Sequence, residues 1–312
     1  MTVLLKTLGG AEIARRLAGP GLGVRSGAFG YRVHSPIPAI ADGLALLYAD
    51  YPLLGYEDFA DFSLELLTGT GLHRFWRRQV RVLFQGMRPF EPLPIGHAYP
   101  QLEWAMNWCV ATHADEQLLL HAAVLERDGF AVILPAPPGS GKSTLCAGLL
   151  HRGWRLLTDE MAMVSLQDAD RHITPMVRPV SLKNQSVEVL QRFEPSVVFN
   201  EITHGTMKGS VTHMKLPQSH VDRMDETALP RWLIFPRYVP DAPAVLSPRS
   251  KADSAMELGR NSFNYLLLGL DGFNALADVV DACDCYDFSY SRLEDAVETF
   301  DRLAETARKE TA

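Results

Sequence analysis

Cysteine is scarce. Cys109, Cys146, Cys283 and Cys285 are the four in 312 residues, and their spacing builds no disulfide framework. Cys283-x-Cys285 is tighter than a zinc-binding pair and has no matching pair elsewhere. Buried thiols in a reducing compartment account for them. Long apolar runs are missing too. Nothing approaches the roughly 18 consecutive apolar residues of a membrane-spanning helix. Residues 1–23 carry Lys6, Glu12, Arg15 and Arg16 and hold no secretory apolar core. There is also no excess of positive charge. Thirty Lys and Arg face 37 Asp and Glu, a formal net charge of −7, so no surface-wide attraction to nucleic acid or acidic membrane is expected. A cytoplasmic protein without nucleic-acid or membrane partners is expected. A polyphosphate ligand remains open, because its charge can be met locally.

What is present reads as a globular chain. The composition is 47% apolar and 21% charged, ordinary for a folded protein, and the length suffices for two domains or one domain with an extension. The chain is organised around Leu118 to Val164. At its centre stands Gly139-Ser140-Gly141-Lys142-Ser143-Thr144. Before it, Phe130 to Leu134 is apolar, of strand length and bounded by Gly129 and Pro135. After it, Thr144 to Leu150 is helix-compatible and ends at His151-Arg152-Gly153. Strand, glycine loop and helix in that order form the context in which a Walker A match carries meaning.

The residue types then give the chemistry. Gly139 and Gly141 free backbone N–H groups to wrap a polyphosphate, and a helix beginning near Ser143 points its positive end at the same anion. Lys142 would reach the β- and γ-phosphates of a nucleotide, and the Ser143 hydroxyl would hold Mg²⁺. One departure stands out. The usual first glycine is Ala136, and Pro137 and Pro138 stiffen the loop entrance. Arg155 to Thr158 reads as a strand ending in Asp159-Glu160, where a Mg²⁺ ligand and a catalytic base belong. His121 interrupts the apolar run Leu118 to Leu125 and reads either as a core histidine or as a site residue. A hairpin through Arg127-Asp128-Gly129 would bring it near the loop.

Elsewhere the signals are coarser. Residues 1 to about 28 read as a loosely attached arm with one short helix, Ala11 to Leu17. Phe29 to about Phe90 gives a strand (Tyr31 to Val33), a helix (Ile37 to Tyr51) and a hairpin pairing Asp58 to Leu66 with Arg74 to Gln85. Arg74, Arg77, Arg78 and Arg81 form a basic cluster that reads as a solvated strand face or a docking face. Pro89 to Pro100 reads as a linker. Gln101 to Ala114 reads as a helix with Trp104 and Trp108 on one face. Lys183 and Asn184 precede a helix, Gln185 to Phe193. Asn200 to Ser210 is polar and turn-rich, with Lys208 between Gly205 and Gly209, the composition of a loop that closes over a nucleotide. Arg231 to Pro236 is a strand followed by Arg237, placed to stabilise γ-phosphate charge. Asp253 to Leu268 and Phe273 to Asp281 read as helices, Cys285 to Tyr290 as a last strand and Ser291 to Ala307 as a closing helix.

The central segment resembles the catalytic core of HPr kinase/phosphorylase. That family carries a histidine at a strand start, a P-loop, a helix and a strand ending in paired carboxylates. Here the histidine lies 21 positions before the lysine and the first carboxylate 17 after it, both like the family's. The wider chain, from about residue 30 onward, is similar to the HPr-kinase-related kinases of type A. Leu102-Glu103-Trp104 through Asn107-Trp108-Cys109, Leu120-His121-Ala122-Ala123, Arg152-Gly153-Trp154-Arg155-Leu156-Leu157, Arg178-Pro179-Val180-Ser181-Leu182-Lys183-Asn184 and Phe263-Asn264-Tyr265 carry that likeness.

The resemblance implies an α/β fold, an HPr kinase/PEP-carboxykinase-like P-loop core of mixed β-sheet flanked by helices. A kinase domain over residues 101–312 would follow a smaller α+β N-terminal region over residues 1–100. It implies ATP-dependent, Mg²⁺-assisted transfer to a hydroxyl, a serine of a protein or peptide, with Asp159 as base, Glu160 as Mg²⁺ ligand and His121 tuning Asp159. From the residues alone, the order of base and metal ligand stays open. The family's long glycine-arginine signature for phosphorolysis is absent. The resemblance also brings association with a peptide-chaperone-like partner, and a homo-oligomer is compatible with it. Two alternatives accompany this reading: a small-molecule kinase, and a nucleotide-gated binding module in a peptide-maturation system.

Overall fold

The computed structural model resolves two compact units. One comprises Met1–Thr112, Pro179–Asn184 and Val198–Asp222, the other His113–Arg178, Gln185–Val197 and Arg223–Ala312. Residues 2–137 and 139–311 are described here. Pro138, in the loop entrance, and the side chain of Arg74, in the basic cluster, lie outside the described residues. A single cut at residue 100 therefore differs from the observed division in two ways. The helix of residues 98–113 belongs mainly with the N-terminal residues, and two later segments join them.

The first stretch runs α1 (Gly10–Ala18), β1 (Leu22–Ser26), β2 (Phe29–His34), α2 (Pro38–Leu47), β3 (Leu53–Leu54), β4 (Phe62–Thr68), β5 (Gln79–Phe84), β6 (Leu93–Pro94) and α3 (Ala98–His113). The strands form a six-stranded sheet in the order β3-β1-β2-β4-β5-β6. The expected loose arm is not observed. Leu5, Ile13 and Leu17 are buried, and β1 pairs with β2 over its whole length. Glycine-rich sequence there marks close packing, since a Cβ on Gly23 would stand 2.7 Å from the Leu54 Cβ. The expected hairpin forms between β4 and β5, with shorter strands and a longer connection, residues 69–78, than the expected ranges. The expected linker instead holds β6 and the start of α3. Tyr99 of α3 packs so closely on α2 that a Cβ at Gly43 would stand 2.1 Å from its ring. Buried Glu103 accepts hydrogen bonds from the Tyr99 hydroxyl at 2.7 Å and the Tyr48 hydroxyl at 3.2 Å.

The chain then enters the second unit with β7 (Gln117–Leu120), β8 (Ala122–Arg127), β9 (Phe130–Pro135), α4 (Lys142–Leu150), β10 (Arg155–Thr158), β11 (Ala162–Ser165) and β12 (Ile173–Thr174). β13 (Val180–Lys183) belongs to the first unit and α5 (Ser186–Phe193) to the second. β14 (Thr203–Thr206), β15 (Gly209–Met214) and α6 (Gln218–Val221) are again in the first, where β13-β15-β14 form a small sheet. The second unit closes with β16 (Leu229–Tyr238), β17 (Val245–Pro248), α7 (Lys251–Arg260), α8 (Tyr265–Ala282), β18 (Asp284–Tyr290) and α9 (Leu293–Thr311). The expected helix over 253–268 is two helices, broken at 261–264, where backbone bonds run from His121 N–H to the Asn261 carbonyl and from Phe263 N–H to the Leu119 carbonyl.

The main sheet of the second unit has the order β10-β8-β9-β16-β18-β17. β8 runs antiparallel to both its neighbours, β10 and β9, and β9, β16 and β18 run parallel. β9 is an unbroken apolar run because both faces are covered. One face packs Val124, Ile133 and Leu233 on Leu276 and Val279 of α8. Trp154, Trp232 and Phe300 meet edge-on in a second cluster. The strand pair β8–β10 carries a buried ion pair, Glu126 with Arg155, 3% and 5% exposed. Arg155 also donates to the carbonyls of Arg223 and Glu226 at 3.1 and 2.9 Å. Removing one partner strands the other charge in a dry site. Glu126→Leu is expected to cost about 3–5 kcal/mol in urea unfolding, and the double variant Glu126→Leu/Arg155→Met to recover part of it. Additive losses would show that the two charges do not depend on each other.

Candidate active site

β9 delivers the chain to Ala136, which is buried. Gly139 and Gly141 both have φ of 88°, in the left-handed region that L side chains avoid. Gly141 is the residue before α4, and the first helical bond runs from Leu145 N–H to its carbonyl at 2.9 Å. The N–H groups of Ser143 and Thr144 precede that bond in the first turn of the helix, and the Lys142 N–H donates to Ser140 Oγ at 3.4 Å. Lys142 is 9% exposed and Ser143 half-buried. The Thr144 hydroxyl donates to Ser186 of α5 at 2.8 Å, so its side chain ties the loop to α5.

Strand register sets what surrounds this turn. Ala122, the first residue of β8, pairs with Pro135, the last of β9. His121 therefore stands where the chain enters the glycine loop, at the joint between β7 and β8. Its backbone N–H bonds the Asn261 carbonyl at 2.6 Å and its ring lies 5.7 Å from that of Phe263. Thr158 ends β10 paired with Val124 of β8, and its hydroxyl accepts the Met161 N–H at 3.1 Å. That turn carries Asp159 and Glu160, both half-buried, off the same end of the sheet. Cys146 of α4 reports on their field. Burial pushes its thiol well above the ordinary range, the Asp159 carboxylate adds to the rise and the Lys142 ammonium offsets part of it. The first carboxylate and the loop lysine thus act on one buried atom.

Arg237 lies at the carboxyl end of β16, exposed, on the other side of β9 from β8 and β10. Lys208 belongs to the first unit, in the turn between β14 and β15, where its ammonium stands 5.5 Å from the centre of the Trp104 ring. Lys183 and Asn184 are in that unit also. The structure thus gathers His121, the glycine loop, Asp159, Glu160 and Arg237 at one end of the second unit's sheet, and Lys208 is a residue of the other unit.

The sequence reading missed two tyrosines. Tyr290, the last residue of β18, is 2% exposed and donates its hydroxyl to the Gly141 carbonyl at 3.0 Å. Burial, with the neighbouring Tyr238, raises its pKa and keeps the donor protonated. Tyr238 ends β16, and its backbone N–H donates to the Ser140 carbonyl at 2.9 Å. The one signal in the sequence is a tyrosine closing each of two strands. Gly141 is consequently fixed twice, by its φ and by space, since an added Cβ would stand 2.6 Å from the Tyr290 hydroxyl. Gly141→Ala is expected to lose about 1–3 kcal/mol of stability in denaturant melts. Adding Tyr290→Phe should return part of that loss, and no recovery would mean that backbone strain alone sets the cost.

Comparison with known proteins adds three findings. A family model described as ScmC, SynChlorMet cassette protein ScmC, matches residues 101–197, the span holding α3, His121, the glycine loop and Asp159-Glu160. No curated protein matches. Among solved structures, the HPr(Ser) kinase/phosphatase from Coxiella burnetii is similar at 13% identity, with 62% of this chain and 97% of that chain covered and a TM-score of 0.28.

Proposed function

We propose that the chain is an ATP-dependent kinase that transfers a phosphoryl group to a hydroxyl, with a serine of a protein or peptide as acceptor. The supporting observation is the convergence, at one end of one sheet, of a glycine loop closed by a buried lysine, an acid pair and a histidine. The open first turn of α4 and the ammonium of Lys142 bind and orient the phosphates. The donors Ser143 Oγ and the Glu160 carboxylate are all-oxygen, as a hard cation requires, so they fit Mg²⁺. Bound there, Mg²⁺ would neutralise charge on the phosphate oxygens.

Asp159 is the base in this reading. It orients the acceptor hydroxyl and takes its proton as the new O–P bond forms and the bond to the leaving diphosphate breaks. His121, at the loop entrance, positions Asp159. Arg237 meets phosphate charge from the β16 side. Lys208, a residue of the first unit, is given no step in this reading. A second reading, a nucleotide-gated binding module, draws support from the match to a cassette protein. Phosphoryl transfer by the purified chain separates the two.

Lys142→Ala should abolish ATP binding or transfer in a folded protein, and unchanged affinity and turnover would remove the P-loop assignment. Asp159→Asn should keep ATP affinity and slow single-turnover transfer by roughly 10²–10⁴-fold. His121→Ala should cost less. The reverse order would make His121 the base. For the metal, Ser143→Ala and Glu160→Gln should each shift the Mg²⁺ titration of transfer to higher concentration. Curves that overlay the wild type would place the ion on other residues.

A further inference from the structure

The sheet order divides the surroundings of the glycine loop into two sides. β8 and β10 bring His121, Asp159 and Glu160 to one side of β9, and β16 and β18 bring Tyr238 and Tyr290 to the other. In-line transfer fixes the direction of a nucleotide on such a loop. The acceptor hydroxyl and its base face the γ-phosphate, and the leaving diphosphate extends away from them. On the kinase reading, on which this inference rests, the γ-phosphate faces Asp159. The nucleoside therefore leaves the loop toward β16 and β18.

Tyr238 stands there. It is 49% exposed although its residue is fixed at several points. Its N–H is bonded to the Ser140 carbonyl. Its Cβ lies beside Gly141, 3.1 Å from where a Cβ on that glycine would be. Its ring meets the ring of buried Tyr290 edge-on, with centroids 6.1 Å apart and planes at 78°. Tyr290 in turn stacks on Phe288 at 5.3 Å. An aromatic side chain, held by its backbone to the loop and by its edge to a rigid stack, yet about half open to solvent, is a preorganised platform for a second π-system.

We propose that Tyr238 is the stacking surface for the nucleobase, which makes the carboxyl ends of β16 and β18 a nucleobase subsite. Stacking tolerates any base because each has a π-face. Preference for a nucleoside triphosphate over a bare polyphosphate therefore comes from this ring, and the glycine loop supplies the shared phosphate affinity.

The test compares ATP with inorganic tripolyphosphate, which carries the phosphates and no base. Both are titrated by calorimetry into the full chain, as wild type, Tyr238→Ala and Tyr238→Phe. The alanine variant keeps the backbone N–H that holds Ser140. Tyr238→Ala is expected to weaken ATP by roughly 5- to 100-fold, the range of base–aromatic stacking, with tripolyphosphate unchanged within about twofold on the same scale. Tyr238→Phe keeps a π-face and should bind ATP as the wild type does. Unchanged ATP affinity in Tyr238→Ala overturns the proposal and leaves the P-loop reading standing. Equal weakening of both ligands also overturns it, because Tyr238 would then act through the loop and not on the base. Failure of wild type to bind either ligand removes the P-loop reading itself, and the subsite with it.

Discussion

The pairing of β8 with β9 is the constraint from which the rest of the site follows. Six register pairs, from Ala122↔Pro135 to Arg127↔Phe130, fix where each strand ends. Shifting that register by one residue would move every side chain to the opposite face and break the packing of Val124 and Ile133 in the cluster they share with α8. The hydrophobic core therefore specifies the register, and the register specifies that His121 meets the loop entrance. β10 inherits its position from β8 through Leu156↔Leu125 and Thr158↔Val124, across an irregularity between Leu156 and Thr158. Placement of the acid pair is thus a consequence of core packing two strands away, reinforced by the buried Glu126–Arg155 pair that ties the other end of β8 to β10.

Electrostatics at the loop runs against ordinary helix design, in which the first turn favours acidic residues. α4 has none there and begins instead with Lys142, a buried cation at the positive end of a helix. Both burial and the dipole disfavour that charge. Asp159 and Lys142 act in opposite directions on the buried Cys146 thiol, the carboxylate raising its pKa and the ammonium lowering it. An arrangement that concentrates positive potential in this way gains most when an anion with several charges enters it. This is the physical content behind reading the loop as a phosphate site, independent of any likeness to other proteins.

Legibility in the sequence followed the range of the interactions. The strand–loop–helix around Gly139 to Thr144, the strand ending in Asp159 and the β4–β5 hairpin are local patterns, and each was readable. The N-terminal arm was misread because Gly19 to Gly23 looks like loose chain. Its glycines are there for close approach to Leu54 and His34, partners far along the chain. The break between α7 and α8 was also invisible. It is made by backbone bonds to Leu119 and His121, which leave no imprint on helical periodicity. The unit boundaries belong to the same class. β13 joins its unit by pairing with β15, some thirty residues downstream. Tyr290 could not be assigned at all, since a tyrosine closing an apolar strand carries no mark of the glycine carbonyl it will meet.

Two different kinds of group flank the two sides of the loop, and on the proposed kinase reading that difference has a mechanistic meaning. On the β8–β10 side the residues are ionisable and half-buried, His121, Asp159 and Glu160, groups that exchange protons or ligate cations. On the β16–β18 side the loop is held by backbone and aromatic contacts, Tyr238 N–H to Ser140, Tyr290 hydroxyl to Gly141, and the stacked Phe288 behind them. None of those contacts changes with pH across the physiological range, because burial holds the Tyr290 hydroxyl protonated. These contacts lie on the opposite side of β9 from the ionisable groups. A carboxylate can gain or lose a proton on one side while the backbone N–H groups keep their aim on the other. Preorganisation of this kind is what electrostatic catalysis requires, since dipoles that had to reorient with each proton transfer would return much of their benefit as reorganisation.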